Sequence, residues 1–151
     1  MKTILTDGSD KDFAFLCHLL DNHLNEAVGK DKQRTQYDQY NKKEEIHTVF
    51  VVYIDDIPVA CGGFKHYDTG TSEVKRVFVR KEYRHRGIAT HVMKMIEKEA
   101  KNKGYARLIL ETGNMLAEAM ALYYSLDYHI IENYGQYKQM KESVCMQKII
   151  T

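Results

Sequence analysis

Five cationic residues followed by a glycine interrupt the middle of the chain, between a strand-like and a helix-like segment. The glycine is Gly87, and the cations are Arg80, Lys81, Arg84, His85 and Arg86. Backbone N–H groups at the start of an α-helix lack intrahelical acceptors and lie at the positive end of the helix dipole. This combination predicts an anion site, for which a pyrophosphate is the natural ligand.

The segments on either side of this loop would position it. Upstream, residues 73–79 are rich in valine and predict a strand. Downstream, apolar residues recur with helical spacing from Ile88 to Ala100, and Gly104 is expected at the C′ position. A strand would therefore deliver the basic loop directly to the N-terminus of a helix.

The loop does not fit the common nucleotide-binding motifs. GxxxxGK[ST] is absent from the sequence, and the loop has one glycine where a dinucleotide fingerprint needs three. What remains is R-x-x-G-x-A, formed by Arg84, Gly87 and Ala89. After a strand and before a helix, this pattern resembles the acyl-CoA-binding motif [QR]-x-x-G-x-[GA] of the GNAT superfamily of N-acetyltransferases.

A second motif strengthens the resemblance. The run A-M-A-L-Y-Y-S-L-D-Y from Ala119 to Tyr128 is similar to the family pattern A-x-x-L-Y-x-x-x-G-[FY]. Two departures stand out: Asp127 replaces the family's glycine, and Leu116 stands where members often have a pantetheine-contacting asparagine. Asn114, two residues earlier, is the nearest substitute. The resemblance covers residues 49–149.

The remaining segments predict the other elements. We expect a first strand at 3–5, a helix at 13–28, a hairpin of strands at 47–54 and 59–66, a strand at 106–112, a helix at 116–126 and strands at 128–134 and 143–150. Gly62 and Gly63 indicate a bulge or a close backbone approach. Residues 30–45 are compatible with a weakly packed helix or a loop. The resemblance implies an α/β (α+β) GNAT fold, with a mixed, mostly antiparallel sheet of six to seven strands flanked by about four helices.

Composition limits the functional classes. The 151 residues fit a single domain, 1–151, and the 22 Lys and Arg nearly balance the 21 Asp and Glu, so no global field recruits nucleic acid or an anionic membrane. No apolar run of membrane length and no signal segment is apparent, so we expect a cytoplasmic protein. Cys17, Cys61 and Cys145 lack a CxxC pattern and are expected to be buried. The seven histidines form no metal-ligand pattern, and we expect no metal.

The resemblance implies acetyl-CoA as cosubstrate and assigns residues to it. Backbone N–H groups from His85 to Thr90 would hold the pyrophosphate, and Arg80, Arg84 and Arg86 could reach the phosphates. Backbone groups of Val77, Phe78 and Val79 would pair with pantetheine as an added strand does. The expected cofactor-binding residues are Val77, Phe78, Val79, Arg84, His85, Arg86, Gly87, Ile88, Ala89, Thr90 and Asn114.

Acetyl transfer to an amine needs a base for the ammonium proton and an oxyanion donor at the thioester. Family members carry a catalytic glutamate where this chain has Glu73, and others place it at the position of Glu111. We prefer Glu73 and keep Glu111 as its rival. The alternative role for each acid is an ion pair with Lys75, Arg76 or Arg107.

Tyr123 in the second motif is the candidate acid. A phenol can return a proton to the departing thiolate, whose parent thiol resembles cysteine. The alternative is a core tyrosine with a satisfied hydroxyl. Tyr124 is the neighbour most easily confused with it, but on a helix it points about 100° away.

The sequence therefore predicts an N-acetyltransferase acting on a small-molecule or exposed amine. A non-catalytic acyl-CoA-binding or regulatory module on the same fold is the alternative, favoured if Glu73 and Glu111 are both held in ion pairs. A nucleic-acid-binding role for the basic loop is disfavoured, because the cations are confined to this one loop and no aromatic stacking platform is interleaved with them. We expect no membrane partner, and the sequence does not decide between a monomer and a homodimer.

Overall fold

The computed structural model describes residues 1–28, 45–114 and 116–151. Its strands are β1 (Lys2–Thr6), β2 (Thr48–Ile54), β3 (Ile57–Asp68), β4 (Thr71–Val79), β5 (Arg107–Gly113), β6 (His129–Ile131) and β7 (Ser143–Ile149). Its α-helices are α1 (Lys11–Val28), α2 (Ile88–Asn102) and α3 (Ala117–Ser125), with single 3₁₀ turns at Lys81–Tyr83 and Gly135–Tyr137.

The seven strands form one sheet in the order β1-β2-β3-β4-β5-β7-β6. Every neighbouring pair is antiparallel except β4 and β5, which are parallel. This confirms the expected mixed, mostly antiparallel sheet. The described residues contain three α-helices rather than about four, and the helix or loop expected at 30–45 lies almost wholly outside them. The strand expected at 128–134 is shorter, because the chain leaves the sheet after Ile131.

The parallel neighbours β4 and β5 separate along their length. Their ladder joins Thr71–Glu73 to residues 107–109, whereas both strands continue for several more residues. Beyond Glu73, β4 therefore keeps its partner β3 on one edge and has no ladder to β5 on the other. The gap opens toward the loop that leads into α2.

Two apolar layers cover the two faces of the sheet. On one face α2 packs on a core that includes Phe64, Val92, Ile96 and Leu110. The fit is close at Gly62, because a Cβ there would lie 2.7 Å from a methyl group of Val92. The prediction of a close backbone approach is confirmed, and the β3–β4 register also shifts between Cys61 and Gly63.

On the other face α1 covers a smaller core that includes Phe13, Leu16 and Phe78. Strand β4 is bulged at Arg76, whose φ of 60° lies in the left-handed region, and the Cys61 thiol donates to the Arg76 carbonyl at 3.3 Å. The side chain of Arg76 pairs with Asp21 of α1 at 2.5 Å. The ion pair therefore connects α1 to β4 at the bulged residue.

Candidate active site

A cleft of about 760 Å³ occupies the gap between β4 and β5. Its size is typical of a small-molecule site. One wall of the cleft is formed by Leu20, His23 and Leu24 of α1. Residues at the start of α2 and along α3 complete the lining of the cleft. The cleft thus joins the predicted anion site to two of the three predicted catalytic residues, Glu111 and Tyr123.

The start of α2 forms one end of the cleft. Gly87 is the N-cap residue, with φ 78° and ψ 10°, and a side chain there would meet no other atom within 4 Å. Left-handed backbone is the conformation for which glycine is favoured. Ile88, Ala89 and Thr90 form the first helical turn and line the cleft. The first helical hydrogen bond runs from the His91 N–H to the Gly87 carbonyl, so the N–H groups of these three residues have no intrahelical acceptor and this end can bind an anion.

The three arginines of the loop differ in their positions. Arg84 lines the cleft, but its Nε donates to the Val79 carbonyl at 3.0 Å and its guanidinium lies over the Phe78 ring. Arg86 lies over the Tyr83 ring, and Arg80 pairs with Glu82 at 3.6 Å. Arg84 therefore ties the loop to the end of β4.

Strand β4 forms the long wall. Val77, Phe78 and Val79 line the cleft, and Val79 and Phe78 pair with Ala60 and Cys61 of β3 on their other edge. Because the β5 ladder has already ended, no strand pairs with the cleft edge of β4 here, and an extended amide-containing ligand can lie along it, although the Val79 carbonyl already accepts a hydrogen bond from Arg84. This is the geometry that pantetheine would need.

Of the two positions considered for a pantetheine-contacting amide, Leu116 lines the cleft and Asn114 does not. Asn114 is exposed, and its backbone N–H donates to the Glu142 carbonyl at 2.8 Å. The assignment of Asn114 as a cofactor ligand stays a prediction.

Glu73 is buried on the α1 face, with 1% of its surface exposed. Its carboxylate accepts a 2.5 Å hydrogen bond from the Tyr134 hydroxyl and lies 3.6 Å from the Lys75 ammonium. Although Lys75, two residues along the strand, lines the cleft, Glu73 is not among the lining residues of the described chain. The preferred candidate base is thus held inside a network of polar side chains.

Glu111 lies on β5, beyond the end of the β4–β5 ladder, and lines the cleft. It is partly exposed, and its carboxylate accepts a 2.7 Å hydrogen bond from the Ser143 hydroxyl of β7. From this position Glu111 can reach a group bound in the cleft. Glu73 does not line the cleft.

Tyr123 of α3 also lines the cleft, 8% exposed, and its ring packs edge-on against Tyr128 with centroids 5.8 Å apart. Burial, assisted by the nearby Glu111 carboxylate, raises the pKa of the Tyr123 phenol above its usual value. The phenol therefore stays protonated at neutral pH. Tyr124 is 49% exposed, as expected for a residue on another side of the helix.

The sequence named Lys75 as a possible ion-pair partner of the acids, and its pair with Glu73 is present in the structure. Lys75 follows Glu73 by two residues on β4 and shares its face. Three further polar residues were not assigned a role in the site by the sequence: Tyr134 donates to Glu73, Ser143 donates to Glu111, and Tyr137 accepts from Lys75. These three approach from distant parts of the chain and left no local pattern.

Within residues 1–28, 45–114 and 116–151, no group of three or more His, Cys, Asp or Glu side chains is arranged to hold a metal ion. None of the helices in these ranges is both long and apolar enough to cross a membrane.

Comparison with known proteins agrees with this geometry. A family model described as the Acetyltransferase (GNAT) family matches residues 13–128. The uncharacterized N-acetyltransferase YsnE of Bacillus subtilis is 33% identical over 103 residues, which cover 67% of this chain and 68% of that protein. The molecule is therefore an acetyltransferase by class. More particularly, the chain belongs to the GNAT family.

Solved structures share the fold. A GNAT-family acetyltransferase from Staphylococcus aureus superposes with a TM-score of 0.77 at 16% identity, covering 99% of this chain and all of the other. A GNAT-family acetyltransferase from Elizabethkingia anophelis, with acetyl-CoA bound, gives a TM-score of 0.60 at 19% identity over 68% of this chain and 75% of its own. At these identities the likeness shows the fold.

Proposed function

We propose that this protein transfers the acetyl group of acetyl-CoA to a primary amine by direct attack. The observation that carries the proposal is the cleft itself, which is lined by the start of α2, where unpaired N–H groups favour an anion, and by Glu111 and Tyr123. The acetyl-CoA held by the Elizabethkingia relative supports this choice of cosubstrate.

The cofactor would use the helix start and the free edge of β4. The first-turn N–H groups at Ile88 to Thr90 would bind the pyrophosphate. Backbone groups of residues 77–79 would pair with the pantetheine arm and direct the thioester into the gap. A backbone N–H near Phe78 or Val79 would then stabilise the negative charge on the thioester oxygen.

Glu111 is the base in this proposal, ahead of Glu73. The sequence ranked Glu73 first by its position in the family pattern, but Glu111 lines the cleft and Glu73 does not. Glu111 would accept the proton of the bound ammonium, and the neutral nitrogen would then bond to the acetyl carbon. As the carbon–sulfur bond breaks, Tyr123 would give its proton to the departing thiolate.

An assay over a panel of amines tests the proposal. Release of free thiol from acetyl-CoA should rise above buffer hydrolysis with at least one acceptor, and mass spectrometry should find that acceptor heavier by one acetyl group. Acetyl-CoA binding without thiol release over the whole panel would favour the non-catalytic module instead. Failure to bind acetyl-CoA would reject both.

A further inference from the structure

A buried lysine lies beside Glu73 and lines the same cleft as Glu111. Lys75 of β4 has 6% of its surface exposed, and its ammonium is 3.6 Å from the Glu73 carboxylate and 3.1 Å from the Tyr137 hydroxyl, to which it donates. Removing an ammonium from water is costly unless charged and hydrogen-bonding partners replace the water. A buried ammonium with such partners that also lines the cleft is therefore a candidate for a role in the site.

The register of the parallel strands places Lys75 and Glu111 on the same face of the sheet, on either side of the gap. Glu73 pairs with Ile109, so two residues further along, Lys75 and Glu111 stand on neighbouring strands with side chains on the same face. Both line the cleft. Burial lowers the pKa of Lys75; the charge of Glu73 opposes that shift, Lys65 adds to it, and Glu111 opposes it to a smaller extent.

Each acid also has its own hydroxyl donor. Tyr134 donates to Glu73 at 2.5 Å, and Ser143 donates to Glu111 at 2.7 Å. The two carboxylates and one ammonium leave this network with one excess negative charge when all three are ionised. A cationic acceptor amine would balance that charge.

We propose that Lys75 is a positioning residue, whose ammonium keeps Glu111 ionised and ready to accept the proton of the acceptor. The inference rests on the proposed acetyl transfer, with Glu111 as base. Without the ammonium, the Glu111 carboxylate would lose a nearby positive charge that favours its ionised form. Lys75 thereby keeps the base in its active form toward lower pH.

Other titratable and charged groups surround this network and contribute to its titration. They are Lys65 and Tyr67 on β3, Arg107 on β5, Cys145 on β7, Tyr123 on α3, Tyr134 and Tyr137 in the loop after β6, and Asp21, His23 and Arg76 on the α1 side. All of them remain in place when Lys75 alone is changed. A change in titration therefore reports on Lys75.

The test is a titration of the glutamate side-chain carboxyls by carbon NMR in protein labelled with ¹³C-glutamate. Glu111→Gln identifies the Glu111 signal by its loss. In Lys75→Met the Glu111 midpoint should rise by about one pH unit or more, because an adjacent positive charge is gone. In Glu73→Gln the midpoint should fall, because a neighbouring negative charge is gone.

Lys148→Met is the matched control. Lys148 is also a strand lysine in an ion pair, 3.0 Å from Glu97, but it lies on the α2 face of the sheet. Its loss should leave the Glu111 midpoint unchanged. If Lys75→Met does not fold, the double variant Glu73→Gln with Lys75→Met removes both charges. Its Glu111 midpoint should then be higher than the Glu111 midpoint of Glu73→Gln alone.

An unchanged Glu111 midpoint in Lys75→Met, or in the double variant relative to Glu73→Gln, would overturn the inference. A shift of equal size in Lys148→Met would also overturn it. Since the titration needs no acceptor, these results are independent of whether any amine is acetylated. The amine panel tests the proposed function separately, and in an active enzyme the acidic limb of the kcat/KM profile should move with the midpoint.

Discussion

The Tyr134 hydroxyl donates a 2.5 Å hydrogen bond to the carboxylate of Glu73, a residue 61 positions earlier in the chain. Together with the Lys75 ammonium at 3.6 Å, this bond surrounds the acid that the sequence ranked first. Glu111, its rival, receives one hydroxyl from Ser143 and still borders the cleft. Although both residues are glutamates, Glu111 borders the cleft and Glu73 is held in a buried network.

Exchange of each acid for its amide should therefore give different results. Glu111→Gln should lower kcat by about 10²-fold or more and remove the acidic limb of the rate profile, because it removes the proton acceptor. Glu73→Gln should keep that limb, displaced to lower pH, and lose on the order of 1–3 kcal/mol of stability as the buried ammonium loses an acceptor. Steady-state kinetics from pH 5 to 10 and chemical denaturation measure both. Loss of the limb in Glu73→Gln instead would make Glu73 the base.

The long separation explains why the sequence could not rank these acids. Tyr134 approaches Glu73 across 61 residues, and Tyr137 approaches Lys75 across 62. Such contacts depend on how the loop after β6 folds over the sheet. In that loop the Asn133 amide is placed near three carbonyls, of Tyr137, Met140 and Ser143. No short pattern of residues encodes this arrangement.

Local signals, in contrast, predicted the loop before α2 and the helix itself. Gly87 adopts left-handed backbone at the N-cap of α2, and the apolar spacing after it placed the helix correctly. The hairpin of β2 and β3 was also predicted, from two apolar segments and the turn between them. The strand after α3 was predicted too long: it was expected over 128–134, whereas β6 ends at Ile131.

The anion site can be tested at Gly87. Gly87→Glu should abolish detectable binding of acetyl-CoA in calorimetry, because a side chain and a negative charge enter the loop that must approach the pyrophosphate. Gly104→Glu is the control at the other end of α2, since Gly104 also has positive φ, 91°, and open space around its Cβ position. It carries the same backbone strain and the same charge. Equal loss of affinity in both variants would assign the effect to strain or folding.

The three cysteines should resist alkylation in the folded protein. All are buried, as predicted, and burial raises the pKa of the Cys145 thiol to about 11. Against a free thiol with a pKa near 8.5, the thiolate fraction at pH 8 is roughly 200-fold lower. Iodoacetamide at pH 8 should therefore label the native protein very slowly and the urea-unfolded protein rapidly. Fast labelling of native Cys145, read by peptide mass spectrometry, would contradict the structure.

The raised pKa of Cys145 also predicts the direction of a stability change. Because the folded state holds the thiol proton more tightly, unfolded chains lose it first as the pH rises above about 8.5. The free energy of unfolding should decline from there until the folded thiol itself ionises near pH 11. Urea midpoints between pH 7 and 10.5 would follow this decline, and Cys145→Ala should make it shallower.

The role of Tyr123 separates acid catalysis from core packing. Tyr123→Phe keeps the ring that packs against Tyr128 and removes only the hydroxyl. If that hydroxyl protonates the departing thiolate, kcat should fall by roughly 10²–10⁴-fold with little change in acetyl-CoA affinity, because the proton matters only as charge develops on sulfur. Since burial raises the pKa of Tyr123, its ionisation should add no alkaline limb below pH 10 in the wild type.

Tyr124→Phe is the matched control, one residue along the same helix and 49% exposed. Its turnover and thermal midpoint should equal those of the wild type. Small and equal effects at Tyr123 and Tyr124 would assign Tyr123 to packing alone and leave the thiolate to depart without a proton from the enzyme. A large loss of turnover confined to Tyr123→Phe, with the melting temperature preserved, requires the hydroxyl itself, because the buried ring is unchanged.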